Sequence, residues 1–265
     1  MNKGTKSDLH ENSKSELKVW QIESLRVTVF HVSMVERELT VWDELIKESP
    51  ETRTSYPKQG FHRDEGAFEN GKLIVETHPN RIDWLYAADT DKIEEGLPII
   101  GLFPGAAENF CKLMHQWLKI CPPIKRLAFG AILLQRVEDR EEGYRQISEY
   151  LPTVDVDLDP IGPSDFLYQI NRPRLSKSWS ENLQINRLST WSVSSIWRQG
   201  LNVEFSNREP VTPTHPRDTI SACRLALDVN TSQEFSGELP KNVLSDLFDE
   251  LVILAKEIAD KGDIK

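Results

Sequence analysis

The chain has 265 residues, 38% of them hydrophobic and 28% charged, with a formal net charge of −10. That is enough chain for a sizeable core in one large or two small domains. No apolar run approaches the ~18–20 residues of a membrane-spanning helix. The acid excess argues against wholesale polyanion binding but leaves room for a local basic patch.

Residues 1–16 (MNKGTKSDLHENSKSE) are polar and lack the apolar stretch of a secretory signal, so a disordered tail is expected. Val19–Val32 reads as a strand, with Leu25, Val27 and Val29 on one face and Thr28, Phe30 and Val32 on the other. Glu36–Glu48 reads as a helix whose stripe is Leu39, Trp42 and Ile46, ended by Pro50. Residues 50–71 look like a loop. Lys72–Thr77 and Arg81–Ala87 read as a hairpin about His78-Pro79-Asn80, where proline presets φ and asparagine tolerates left-handed geometry.

Pro104-Gly105 opens a helix running to about Ile120, with Phe110, Leu113, Met114 and Trp117 at helical spacing and Cys121-Pro122-Pro123 as its stop. Leu127–Val137 is apolar on both faces, as a strand inside a sheet should be. A second helix follows, its apolar face made by Tyr144, Ile147 and Leu151. Phe166–Arg172, Leu183–Trp197 and Thr219–Asn230 are strand candidates, the last two separated by a proline-rich loop at Pro210–Pro216. A long amphipathic helix, about Pro240–Asp260, closes the chain and needs a surface to lie on.

Two of these units echo one another. Leu25–Pro50 overlays Leu127–Pro152 without a gap: Leu25, Val35, Glu36 and Pro50 match identically, and Trp42 and Leu45 meet Tyr144 and Ile147. The expected fold is therefore α+β, with mostly antiparallel sheet and amphipathic helices on one face. The echo suggests a duplicated strand–helix unit. It divides the chain into a first module at 17–123 and a second at 124–265.

Function is less legible. Cys111, Cys121 and Cys223 have no metal spacing and read as buried reduced thiols, which points to a cytoplasmic location. Asp155, Asp157 and Asp159 alternate; on a strand they would share a face suited to Mg²⁺, Mn²⁺ or Ca²⁺, although flanking prolines favour a solvated acidic loop. His62-Arg63-Asp64-Glu65 reads as an exposed charged loop, since neighbouring side chains diverge. The other histidines, such as His31, His78, His115 and His215, are dispersed, and no nucleophile or phosphate-loop motif occurs.

The segment Gln169–Gly200 carries the most binding character. Gln-Ile-Asn-Arg occurs at 169–172 and again at 184–187, and five basic residues face one acid, Glu181. Paired as a hairpin, the repeats could set Asn and Arg side by side, with tryptophans interleaved as stacking platforms. Arg172, Arg174, Arg187, Trp191 and Arg198 are the candidate binding residues; no cofactor is expected.

Arg126-Leu-Ala-Phe129-Gly130-Ala-Ile132 after a helix, and Leu227-Asp228-Val229 before the last helix, resemble a sporadically distributed family of uncharacterised prokaryotic proteins. That family brings no established activity. Its members look like accessory proteins of mobile or antiviral-defence gene sets. The resemblance implies a non-enzymatic protein acting through a protein partner. Nucleic-acid binding by the 169–200 hairpin is the alternative, and a metal-dependent hydrolase using Asp155, Asp157, Asp159 and His62 is the third reading.

Overall fold

The computed structural model describes residues 19–32, 41–92, 96–157, 165–179, 182–197, 219–235 and 237–263. The predicted N-terminal tail, the first part of the early helix, Asp159, Arg198 and the Pro210–Pro216 loop lie outside them. The fold is α+β: one antiparallel sheet of eleven strands with helices on one face.

In the first half, β1 (Gln21–His31) is followed by α1 (Val41–Ile46), β2 (Thr52–Tyr56), β3 (Phe61–Phe68), β4 (Gly71–His78), β5 (Arg81–Ala88), the short β6 (Gly101–Leu102) and α2 (Glu108–Ile120). The second half has β7 (Ile124–Val137), α3 (Arg140–Tyr150), β8 (Leu167–Asn171), β9 (Arg174–Leu175), β10 (Gln184–Trp197), β11 (Thr219–Thr231) and α4 (Leu244–Lys261). The strand order is β2-β3-β4-β5-β1-β7-β11-β10-β8, with β6 beside β1 and β9 beside β10. Both halves therefore share one sheet, joined where β1 and β7 pair antiparallel.

Alternation decides which face is covered. Along β11, Cys223, Leu225, Leu227 and Val229 are buried, while Arg224, Ala226 and Asp228 between them are partly exposed. Trp84 and Tyr86 of β5 meet Trp117 and Phe110 of α2, and Phe129 of β7 meets Phe248 of α4. Trp20, Tyr150 and Trp191 form an aromatic cluster on the same side, the last two stacked with centroids 5.4 Å apart. α3 is started by Asp139, whose side chain accepts from the Glu142 N–H, while the Glu142 carboxylate accepts from the Glu138 N–H. It lies so close to β10 that a Cβ on Gly143 would sit 2.7 Å from Val193 Cγ1.

One stretch differs from expectation. Residues 50–71 are not a loop but contribute β2 and β3. β2 is an edge strand with every residue exposed, so it lacks the apolar alternation by which strands announce themselves. β3 carries charged residues paired across the sheet among its few apolar ones, so no hydrophobic pattern reports it. The hairpin at 78–81 and the strand limits of β7, β8, β10 and β11 follow the expected pattern. Pro240 precedes a short 3₁₀ turn at Lys241–Val243 rather than opening α4 itself.

Candidate functional site

With α2, α3 and α4 on one face, the opposite face of the sheet is polar at its centre. Arg26 of β1 is directly opposite Gly130 of β7, and Gly130 is directly opposite Asp228 of β11. Segments 126–132 and 227–229 thus meet as neighbours. Gly130 presents no side chain, so Arg26 leans over it: its Nε lies 3.7 Å from where a Cβ would be. Arg26 is exposed.

Arg126, two pleats along β7, lies over the Phe30 ring with its guanidinium carbon 4.7 Å from the centroid. It donates to the Asn230 side chain at 3.2 Å and to the Thr231 carbonyl at 3.2 Å. Burial lowers its pKa and the nearby Asp228 opposes that shift. Asn186 also donates to Asn230 Oδ1 at 3.1 Å, Asn171 donates to Asn186 at 3.0 Å, and Asn230 donates to Asp228 at 3.0 Å. A continuous line of guanidinium, amide and carboxylate groups therefore crosses β7, β11, β10 and β8.

The line continues over the first half. Thr28 donates to Asp83 at 2.5 Å, Arg81 Nε lies 2.8 Å from Asp83 Oδ2, and Arg63 pairs with Glu76 at 2.5 Å and Glu65 at 2.8 Å. Among the described residues, Glu76, His78 and Asp83 are the one group of three side chains close enough to share a metal ion. Sequence reasoning read these residues only as a hairpin. The signal was present: a two-residue turn at Pro79-Asn80 sets His78 opposite Arg81 and Glu76 opposite Asp83, with all four on one face.

The candidates from sequence sit elsewhere. β8 and β10 do pair as a hairpin, with the Arg172 N–H on the Arg187 carbonyl. However, Asn and Arg are adjacent in sequence, and adjacent strand residues point to opposite faces. Asn171 and Asn186 lie on the helix-free face, whereas Arg172 and Arg187 turn under α4. Arg172 forms a bidentate pair with Asp263, one arm at 2.7 Å, and Arg174 pairs with Glu257 at 2.9 Å. Arg187 is 3% exposed and lies 3.7 Å from the same Glu257. Burial, then Arg174, lowers the Arg187 pKa. Trp191 is 0% exposed and presents no free ring. Three of the four described candidates thus anchor the C-terminal helix to the sheet, and Trp191 is core; Arg198 lies outside the described residues.

His62-Arg63-Asp64-Glu65 is strand rather than loop, which splits the cluster between faces. His62 and Asp64 converge on the helix side, with His62 Nε2 3.1 Å from Asp64 and Arg53 Nε 2.7 Å from it. Arg63 and Glu65 point the other way. Asp155 and Asp157 are exposed on a segment with no strand pairing, so they do not form the shared strand face considered above.

No protein-family model matches the chain, and no curated protein matches it. No helix among the described residues is long and apolar enough to cross a membrane.

Proposed function

We propose that this is a non-enzymatic protein that binds another protein through the helix-free face of its sheet, centred on Arg26, Arg126, Gly130 and Asp228. The observation that supports this reading is the composition of that face. It mixes exposed and partly exposed guanidinium, carboxylate and amide groups over a sheet centre that no described helix covers. Both signs of charge occur within neighbouring strands, which suits a protein surface better than a uniformly negative polyanion. The family resemblance supports an accessory role, regulatory or in antiviral defence, in a prokaryotic cytoplasm.

The test is a tagged pull-down from the native host with the wild type and an Arg26→Glu plus Arg126→Glu variant, with folding checked by circular dichroism. A stoichiometric protein that the folded variant loses is the expected result. A partner held equally by both, or none at all, overturns the assignment of this face. Nucleic acid that elutes steeply with salt would replace the protein partner with a polyanion.

A further inference from the structure

The strongest local chemistry on the helix-free face is off its centre, on the β4–β5 hairpin. The geometry points to a single transition-metal site formed by Glu76, His78 and Asp83, of the borderline class represented by Zn²⁺. His78 Nε2 lies 3.8 Å from Glu76 Oε2 and 3.9 Å from Asp83 Oδ2, and the three ligand atoms all lie within 4.8 Å of one another. A four-coordinate ion with bonds of about 2.0–2.2 Å needs ligand atoms roughly 3.4 Å apart, so small side-chain rotations close the set. One imidazole and two carboxylates suit Zn²⁺ or Mn²⁺ and leave a position for water.

Two further observations point the same way. His78 Nε2 is shielded from solvent yet makes no hydrogen bond, and it faces Asp83 Oδ2, whose present partner is the Arg81 guanidinium at 2.8 Å. The other carboxylate oxygens are already oriented, as metal-binding carboxylates usually are: Thr28 donates to Asp83 Oδ1 and Arg63 to Glu76 Oε1.

The second half of the sheet provides an internal comparison. Asp228 stands to Gly130 as Asp83 stands to Thr28, but its neighbour on β10 is Leu188, where Asp83 faces Glu76. Opposite Ala226 stands Thr190, where His78 faces Arg81. The duplicated position thus keeps one ligand of three, and a single site per chain is expected.

The experiment is Zn²⁺ titration of the metal-free full chain in competition with a chromophoric chelator, beside Glu76→Gln and His78→Ala. The wild type should bind one equivalent more than either variant, or at least about tenfold more tightly at that equivalent, because each variant removes a ligand. Co²⁺ in the same protein should give visible absorption that both variants lose. Zn²⁺ should also raise the wild-type melting temperature, a readout that stands even where a variant fails to fold. Equal stoichiometry and affinity in all three proteins overturns the site, as does a wild type that neither binds nor is stabilised at about 100 μM Zn²⁺.

Discussion

Val27 and Phe129 are direct partners across the β1–β7 ladder, and they are also each other's counterparts in the sequence echo, since the overlay that sets Leu25 on Leu127 sets Val27 on Phe129. A residue paired with its own counterpart lies on a local two-fold axis. Around that pair Leu25 faces Ala131 and Val29 faces Leu127. Outward from it the order β5, β4, β3 on one side repeats as β11, β10, β8 on the other. α1 and α3 follow their central strands, and α2 and α4 close the two halves and pack on each other. Trp42 and its counterpart Tyr144 are both buried. The β-α-β-β-β-α unit is present twice, and β2, β6 and β9 are additions to it.

Phe129 stands at that axis with 0% exposure and lies against Phe248 of α4. Phe129→Ala should cost about 3–5 kcal/mol, the range for removing a buried aromatic ring. Urea unfolding measures it. A loss below about 1 kcal/mol would mean that the two halves do not depend on this contact.

Gly262 ends α4 with φ 74°, and a Cβ there would sit 2.0 Å from the Tyr150 carbonyl oxygen. Gly262→Ala should therefore dislodge Asp263 from Arg172 and lower stability by about 1–3 kcal/mol. Gly130→Ala is the contrast: its nearest neighbour is at 3.4 Å, an ordinary contact, so the fold should tolerate it. Denaturant midpoints for the two variants should separate clearly.

The Arg172 hydrogen bonds hold the Asp263 carboxyl below the usual carboxylate range, against the effect of burial. A depressed folded pKa contributes stability above the unfolded value of about 4, and that contribution fades as pH falls through the folded value. Asp263→Asn should accordingly be less stable than the wild type at pH 7, with the gap narrowing toward pH 2. A gap independent of pH would show that the ion pair is not its source.

Burial lowers the pKa of His31, which is 3% exposed, while the Arg81 backbone partly opposes the shift. The unfolded chain then takes up this proton first, near pH 6.5, so stability should fall as pH drops from about 7 through that value. His31→Leu should show a shallower loss between pH 7 and 5 in thermal melts. An unchanged slope would assign the effect to other groups.

Burial raises both Cys111 and Cys121 to about 11, and Cys223 is 0% exposed. At pH 8 the folded protein should react slowly with a thiol reagent, and all three cysteines should be released in denaturant. Rapid labelling of the native protein at one thiol would locate a segment that opens.

Sequence by itself determined what depends on neighbours along the chain. Runs of apolar residues marked β1, β7, β10 and β11, with both faces of β7 apolar; proline and asparagine marked the β4–β5 turn; helical spacing marked α2, α3 and α4; and a gap-free overlay suggested a repeated strand–helix unit. Each is a local rule of period or turn chemistry. It failed at β2 and β3, where charged side chains paired across the strands, such as Arg53 with Asp64 and Arg63 with Glu76, interrupt any apolar alternation.

The tertiary structure alone decided which face each polar residue serves. Arg172 and Arg174 look like a free basic patch in sequence because the carboxylates that neutralise them, Asp263 and Glu257, stand 91 and 83 residues away. Arg26, Gly130 and Asp228 become neighbours only because β1, β7 and β11 lie side by side in that order. Strand order and long-range ion pairing depend on which distant surfaces bury the most apolar area together. No spacing within a single segment encodes that choice.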